Sequence, residues 1–193
     1  MKTLPELFAN NVAWARRKTA NDPLYFTRLV NIQRPEYLWI GCSDSRVPAN
    51  EIVGLAPGEM FVHRNIANIV VPTDPNAMAV IEFAIEQLGV RHVIVTGHYR
   101  CGGVRAALER NATGVTKEWL APLESLAVEQ KPVLDALPTF DERWAKLCEL
   151  NVIRQVETLQ QWKQGRSVML HGWIYDLADG LLKDLELDVD QPL

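Results

Sequence analysis

VIVTGHYRCGGV, residues 93–104, runs from an apolar segment into a glycine, a histidine, a cysteine three positions later and two further glycines. The apolar part belongs to RHVIVTGH (91–98) and reads as a buried strand with functional residue types at its C-terminal end. The segment from His98 onward admits three readings: half of a metal site, a loop that cradles phosphate with Gly102 and Gly103 at a helix start, or a strand ending in a turn. A lone His-x-x-Cys pair decides none of them, so the partners must come from elsewhere in the chain.

Other segments read as strands too. YLWIGCS (37–43) is a short apolar run whose C-terminal end carries Cys42, EMFVHRN (59–65) follows the turn Pro57-Gly58, and SVMLHGW (167–173) gives a fourth strand. LLKDLELDV (181–189) alternates Leu185, Leu187 and Val189 with Glu186 and Asp188, which suits a half-exposed edge strand. Helical periodicity occupies NAMAVIEFAIEQL (76–88), stopped by Gly89, then a segment from Gly102 to about Arg110, then a long region of roughly 117–163. At the start, Thr3 and Glu6 fit a capping box, and Leu4, Leu7, Phe8, Val12 and Trp14 form an apolar stripe. A second helix follows Asp22-Pro23 and runs to about Gln33.

Strands alternating with helices imply an α/β fold: a mostly parallel mixed β-sheet with an antiparallel edge strand, flanked by helices and preceded by an N-terminal helical arm. With no repeat, low-complexity segment or linker, residues 1–193 read as a single domain. Ligands collect at the C-terminal ends of strands in such sheets, where Cys42 closes one strand and His98 and Cys101 follow the end of another.

Composition narrows the function classes. Of 193 residues 48% are hydrophobic and 23% charged, and the net charge is -4 with Arg16-Arg17-Lys18 as the one basic triplet, so no nucleic-acid partner is expected. No apolar stretch approaches the ~20 residues that cross a bilayer, and the N-terminus lacks the apolar core of a secretory signal. No membrane association and a cytoplasmic location are the expectation. Cys42, Cys101 and Cys148 lie far apart and are odd in number, which disfavours a disulfide framework and leaves thiols free for metal or catalysis.

If the two strands are neighbours in the sheet, Cys42, His98 and Cys101 form a Cys2His set, which zinc accepts readily. Three protein ligands are the pattern of catalytic zinc with an open fourth position. Cys148, within the helical stretch WAKLCELNV, reads as a small buried hydrophobe. In CSDSR, Asp44 can reach the open position, or Arg46 can hold it away as a bidentate pair and keep it ionised. Without the His-x-x-Cys partner the same residues are an Asp/Ser turn with a surface salt bridge. His63, His92 and His171 lie outside the ligand pattern and read as structural or surface residues.

CSDSRV (42–47) together with GHYRCGG (97–103) resembles the β-class carbonic anhydrases, and the likeness extends through HRNIAN (63–68), CELNV (148–152) and HGWIYD (171–176). The resemblance implies one Zn2+ per chain on Cys42, His98 and Cys101, a catalytic dyad of Asp44 and Arg46, and reversible hydration of carbon dioxide to bicarbonate by zinc-bound hydroxide. It implies Gln33, Ile66 and Phe83 around the substrate, in a pocket completed across the interface of a homodimer or homotetramer. Some bacterial members are inhibited by bicarbonate at a separate site of Trp, Arg and Tyr, while the dyad Asp closes onto zinc. Trp39, Arg64 and Tyr175 stand at the matching places, and Asp44 would be a metal ligand in that closed state only.

Three alternatives remain open on the residues alone. One is a noncatalytic zinc protein with a permanent Cys2HisAsp site, and another a relative that hydrolyses carbon disulfide or carbonyl sulfide. The third, the phosphate loop, lacks G-x-G-x-x-G and G-x-x-x-x-G-K-[ST]. Arg100, a cation between two ligands where many relatives carry a small or uncharged residue, is expected to face solvent.

Overall fold

Tyr37–Cys42 (β1) and His92–His98 (β3) are buried along almost their whole length, which requires cover on both faces and puts them at the centre of a parallel sheet. In the computed structural model, described over residues 4–163 and 165–187, they pair with each other and with Met60–Asn65 (β2), Met169–Tyr175 (β4) and Leu182–Asp184 (β5) in the order β2-β1-β3-β4-β5. β1 is parallel to β2 and β3, and β3 is parallel to β4. Only β4 and β5 run antiparallel, with Trp173 opposite Asp184. Register sets Cys42 opposite Asn65 and His98 opposite Tyr175, so the ligand candidates gather at one end of adjacent strands.

One face of the sheet carries Leu38, Ile40, Val93 and Val95 into the main core, against helices Gly102–Glu109 (α5), Gly114–Glu129 (α6) and Phe140–Trp162 (α8). The other face holds a smaller cluster of Trp39, Val47, Ala49, Met60 and Ile94. α8 starts at a capping box: the Glu142 N–H donates to Thr139 Oγ1 at 3.2 Å and the Thr139 N–H donates to Glu142 Oε2 at 2.9 Å. It buries Leu147, Cys148, Val152, Val156 and Leu159, an i, i+4 row pressed on the sheet.

That helix lies close because two strand positions lack a side chain. A Cβ at Gly97 would stand 2.6 Å from Val152 Cγ2 and 3.2 Å from Ile174 Cδ1, and one at Gly172 would stand 3.2 Å from Val152 Cγ1. Gly97→Ala should therefore lower unfolding free energy by about 1–3 kcal/mol, the usual cost of overpacking. Combining it with Val152→Ala should cost less than the sum of the two single changes. Urea denaturation of the four proteins checks both statements, and strict additivity would contradict the contact.

The structure departs from the sequence-based expectations in detail. The helical region expected over about 117–163 is three helices, because Pro132 opens the short Lys131–Asp135 (α7) and Pro138 precedes the cap of α8. Helix Pro75–Glu82 (α4), capped by Asp74, runs into a π-helical turn over Phe83–Gln87, and a short helix not anticipated, Ala49–Ile52 (α3), follows β1. The fourth strand sits two residues later than expected, and β5 covers only the first part of 181–189, with Asp188 and Val189 outside the described residues.

The described residues from Leu4 to Arg34 form a separate compact unit. It contains Leu4–Asn21 (α1) and Tyr25–Asn31 (α2), joined by a turn in which the Leu24 N–H donates to Asp22 Oδ1 at 3.1 Å. Trp14 meets Phe26 edge to face at 5.5 Å, yet α1 buries no residue. The expected cap residue Thr3 lies outside the described residues.

His92 and His171 stack on neighbouring strands, with Nδ1 and Nε2 3.0 Å apart. Burial first, and the charge of His92 second, hold the His171 pKa below its ordinary value. The unfolded chain then binds more protons than the folded one near pH 6, so this contribution is complete above about pH 6.5 and is lost as pH falls. Thermal midpoints between about pH 7.5 and 5 should drop less steeply in His171→Gln than in the parent. Parallel curves would remove the pair from the pH response.

Candidate metal centre

The ends of β1 and β3 bring Cys42, His98 and Cys101 together, all three buried, with their donor atoms within 4.8 Å of one another. Cys42 Sγ and Cys101 Sγ are 3.8 Å apart, far beyond the ~2.05 Å of a disulfide, and all three cysteines are free. Two thiolates at ~2.3 Å from a tetrahedral zinc are themselves separated by about 3.8 Å. His98 Nδ1 lies 3.0 Å from the Tyr99 carbonyl oxygen, to which it donates, so Nε2 presents its lone pair. That Nε2 is buried without a hydrogen-bond partner among the described residues, a costly state unless an ion takes up the lone pair. Separation, donor type and the orphaned nitrogen therefore fit a zinc-like ion.

Local backbone prepares the thiols. The Cys42 pKa is held far below its ordinary value, chiefly by the Cys101 thiol facing it, against burial, which acts the other way, and with the nearby His98 ring and the backbone at Asp44 and Ala67 adding to the lowering. Cys101, at the N-cap position of α5, is pushed the other way by facing Cys42 and by burial. In the absence of an ion one of the two sulfurs holds the proton, and an ion would displace it. Gly103 has no room for a side chain, since a Cβ there would stand 2.8 Å from Ile66 Cγ2 and 3.2 Å from Ala67 Cβ. The same does not hold for Gly102, which borders open space.

Asp44 and Arg46 form the bidentate pair that their spacing allows. Arg46 Nε donates to Asp44 Oδ1 at 2.9 Å and Nη2 to Oδ2 at 2.7 Å, and the Arg46 N–H adds a bond to Oδ1 at 2.9 Å. These bonds, led by the Arg46 side chain, hold the Asp44 carboxyl well below the usual carboxylate range. Asp44 Oδ2 lies 3.8 Å from His98 Nε2, so the carboxylate stands at the edge of the ligand set.

Several supports were not foreseen. Arg64 Nε donates to the Cys42 carbonyl at 2.9 Å and Nη2 to the Asp44 carbonyl at 2.5 Å, so the guanidinium clamps the turn carrying both a ligand and the dyad acid. Trp144 Nε1 donates to the Cys101 carbonyl at 2.9 Å. Buried Asn151 donates to the Ala67 carbonyl at 2.8 Å, and Gln155 accepts from the Val70 N–H at 2.9 Å. That polar ladder from α8 stabilises a turn in which Ala67 and Asn68 have φ of 61° and 47°. His63, buried, accepts at Nε2 from Asn65 Nδ2 at 3.2 Å, and Asn65 is itself fixed by paired bonds to Ile69.

Trp39 is fully buried in the smaller core cluster, and Tyr175 packs against that cluster. Arg64 is exposed, with its guanidinium engaged by the two carbonyls. Ile66 borders a hollow with Ser43, Asn65 and Trp119, of which Phe83 is not part, and Phe83 instead lies 6.1 Å from Phe61. Gln33 is exposed within the N-terminal unit. Arg100 is exposed as expected, but with φ of 60°, a left-handed conformation that costs about 1 kcal/mol for a residue other than glycine. Cys148 is a buried hydrophobe as read, its thiol pushed up to about 12 by burial.

Residues 37–182 match the carbonic anhydrase family. A carbonic anhydrase of Emericella nidulans is 45% identical over 194 residues, which cover 97% of this chain and 85% of that one. Among solved structures, the β-carbonic anhydrase CafA of Aspergillus fumigatus superposes with a TM-score of 0.91 at 41% identity, covering 99% of this chain and 93% of that one. A tetrameric β-carbonic anhydrase from Sordaria macrospora gives 0.89 at 40% identity, covering 94% of this chain and 96% of that one.

Proposed function

Since the chain belongs to the β-class carbonic anhydrase family, we propose that it hydrates carbon dioxide reversibly to bicarbonate and a proton, using zinc held by Cys42, His98 and Cys101. The observation that carries this reading is the buried, unpartnered His98 Nε2 facing two thiols 3.8 Å apart beside a bidentate Asp44–Arg46 pair. When bound, zinc supplies a Lewis acid that brings the pKa of water down toward about 7, so that hydroxide is available near neutral pH. Asp44, ionised and held by Arg46, accepts a hydrogen bond from the attacking hydroxyl group and orients its lone pair toward the carbon of carbon dioxide. Arg46 is a positioning residue: its fork fixes both carboxylate oxygens. Arg64 and Trp144, through the Cys42, Asp44 and Cys101 carbonyls, keep the ligand loops in register. Ile66 and Phe83 offer exposed apolar surface to a substrate with almost no polar handle.

The decisive measurement is stopped-flow hydration by zinc-replete protein from about pH 6.5 to 9. Turnover rising with pH supports the reading. A zinc-replete protein inactive throughout would instead make Asp44 a permanent fourth ligand of a closed site.

Bicarbonate inhibition is part of the proposal, with Trp39, Arg64 and Tyr175 as its site. An anion drawing the Arg64 guanidinium away would compete with the Cys42 and Asp44 carbonyls, releasing the turn and letting Asp44 close on the ligand set. Arg64→Ala should keep one zinc per chain while the ratio of activity without and with bicarbonate falls toward one. Undiminished inhibition in that variant would eliminate Arg64 from the site. A homo-oligomer also belongs to the proposal, since the edge strand β2 and its flank leave Val62, Ile66 and Phe83 exposed by 37%, 42% and 46%. Light scattering gives the state directly.

A further inference from the structure

Behind the loop that carries His98 and Cys101 lies a second hollow of about 330 Å³, lined by Tyr99, Arg100, Asp141, Trp144, Asp176 and Lys183. Its size is at the lower end of the ~300–1,000 Å³ usual for small-molecule sites. None of the metal ligands and neither member of the dyad lines it.

Its chemistry is specific. Arg100 and Lys183 form no ion pair among the described residues, and neither does Asp141 or Asp176, so four charges of both signs face one cavity without neutralising one another. The aromatic walls are fixed because their polar ends are engaged elsewhere. Trp144 Nε1 donates to the Cys101 carbonyl at 2.9 Å, and the Tyr99 hydroxyl donates to Glu149 at 2.6 Å. Arg100 is held at φ 60°, where glycine would sit without strain, so a long cationic side chain is kept there against the backbone's preference. A lone anion in this hollow would meet two carboxylates, and a lone cation two positive groups. Only a ligand carrying both charges satisfies both pairs.

We propose that this hollow binds a small zwitterion, of the class of free α-amino acids, with its carboxylate at Arg100 and Lys183 and its ammonium group at Asp141 and Asp176. The side chain of the ligand rests between Tyr99 and Trp144. The bound molecule then touches the backbone between two metal ligands, although its binding does not require turnover.

The test is an NMR titration of the zinc-replete protein with L-alanine, following the Trp144 indole N–H and the backbone amides of Tyr99 and Ala178. L-lactate, with a hydroxyl in place of the ammonium, and ethylamine, without the carboxylate, are the matched controls. Saturable shifts with alanine are expected, with lactate and ethylamine binding at least about tenfold more weakly. Arg100→Gly, which suits the local backbone, and Asp141→Asn should each weaken alanine binding by about tenfold or more. The proposal is overturned if alanine gives no saturable shift up to about 100 mM. It is equally overturned if lactate binds as well as alanine, or if both variants bind alanine as the parent does.

Discussion

Cys101→Ser is expected to leave the protein without retained metal after dialysis, where the parent and Cys148→Ala each keep one zinc per chain. The reason lies in the donor set. A serine hydroxyl is a poor ligand for a borderline-soft ion, and its loss of the thiolate would leave only Cys42 and His98, below the three protein ligands of a catalytic zinc site. Cys148 is the matched control, because it too is buried, but burial keeps its thiol protonated and it lies outside the ligand group. Metal binding only the folded state stabilises it by mass action, so the same variant should lose the rise in thermal midpoint that added zinc gives the parent. Elemental analysis decides the matter: an undiminished zinc content in Cys101→Ser would refute the ligand set.

The strands that matter most were legible because they are extreme. β1 and β3 are buried on both faces and therefore spell continuous apolar runs, and the turn of each into polar residue types marks the C-terminal end where ligands gather. β5 was less legible: the strand ends at Asp184 and its last cross-strand bond is the Leu185 N–H to the Gly172 carbonyl at 2.9 Å, while the alternation continues through Glu186, which takes a φ of 51°. The break into α6, α7 and α8 was written in Pro132 and Pro138, yet apolar periodicity on either side masks it.

At the site, the spacing of the short motif C-x-D-x-R left Asp44 two places, the open metal position or the Arg46 fork, and the structure has it in the fork. The Arg64 clamp was not legible. Its acceptors are backbone carbonyls, which every residue possesses, and 22 residues separate Arg64 from Cys42. Trp144, 43 residues from Cys101, left no sequence signal for the same reason. Tertiary contacts of side chains to main chain carry no complementary residue type, so pattern reading finds the ligands and misses what holds them.

Asp44→Asn is expected to lower kcat/KM for carbon dioxide hydration by about 10²-fold or more while zinc content stays at one per chain. Asparagine keeps the volume and one carbonyl oxygen, but its amide nitrogen would face an Arg46 donor and the charge that draws the hydroxyl hydrogen is gone. Because the Asp44 carboxyl is held well below the usual range, it is ionised throughout neutral pH, and the variant should show reduced rates across the whole profile rather than a shifted midpoint. Arg46→Ala should act in the same direction with less force, since Asp44 would keep its charge and lose its fixed orientation. The two changes together should cost less than the product of the separate losses, because they disable one unit. Turnover of the parent separates the readings of the site: an acid that orients the hydroxyl leaves the zinc-replete parent active, whereas a permanent fourth ligand blocks the open position. An undiminished kcat/KM in Asp44→Asn would remove Asp44 from the reaction, and a zinc-replete parent inactive at every pH would establish the closed site instead.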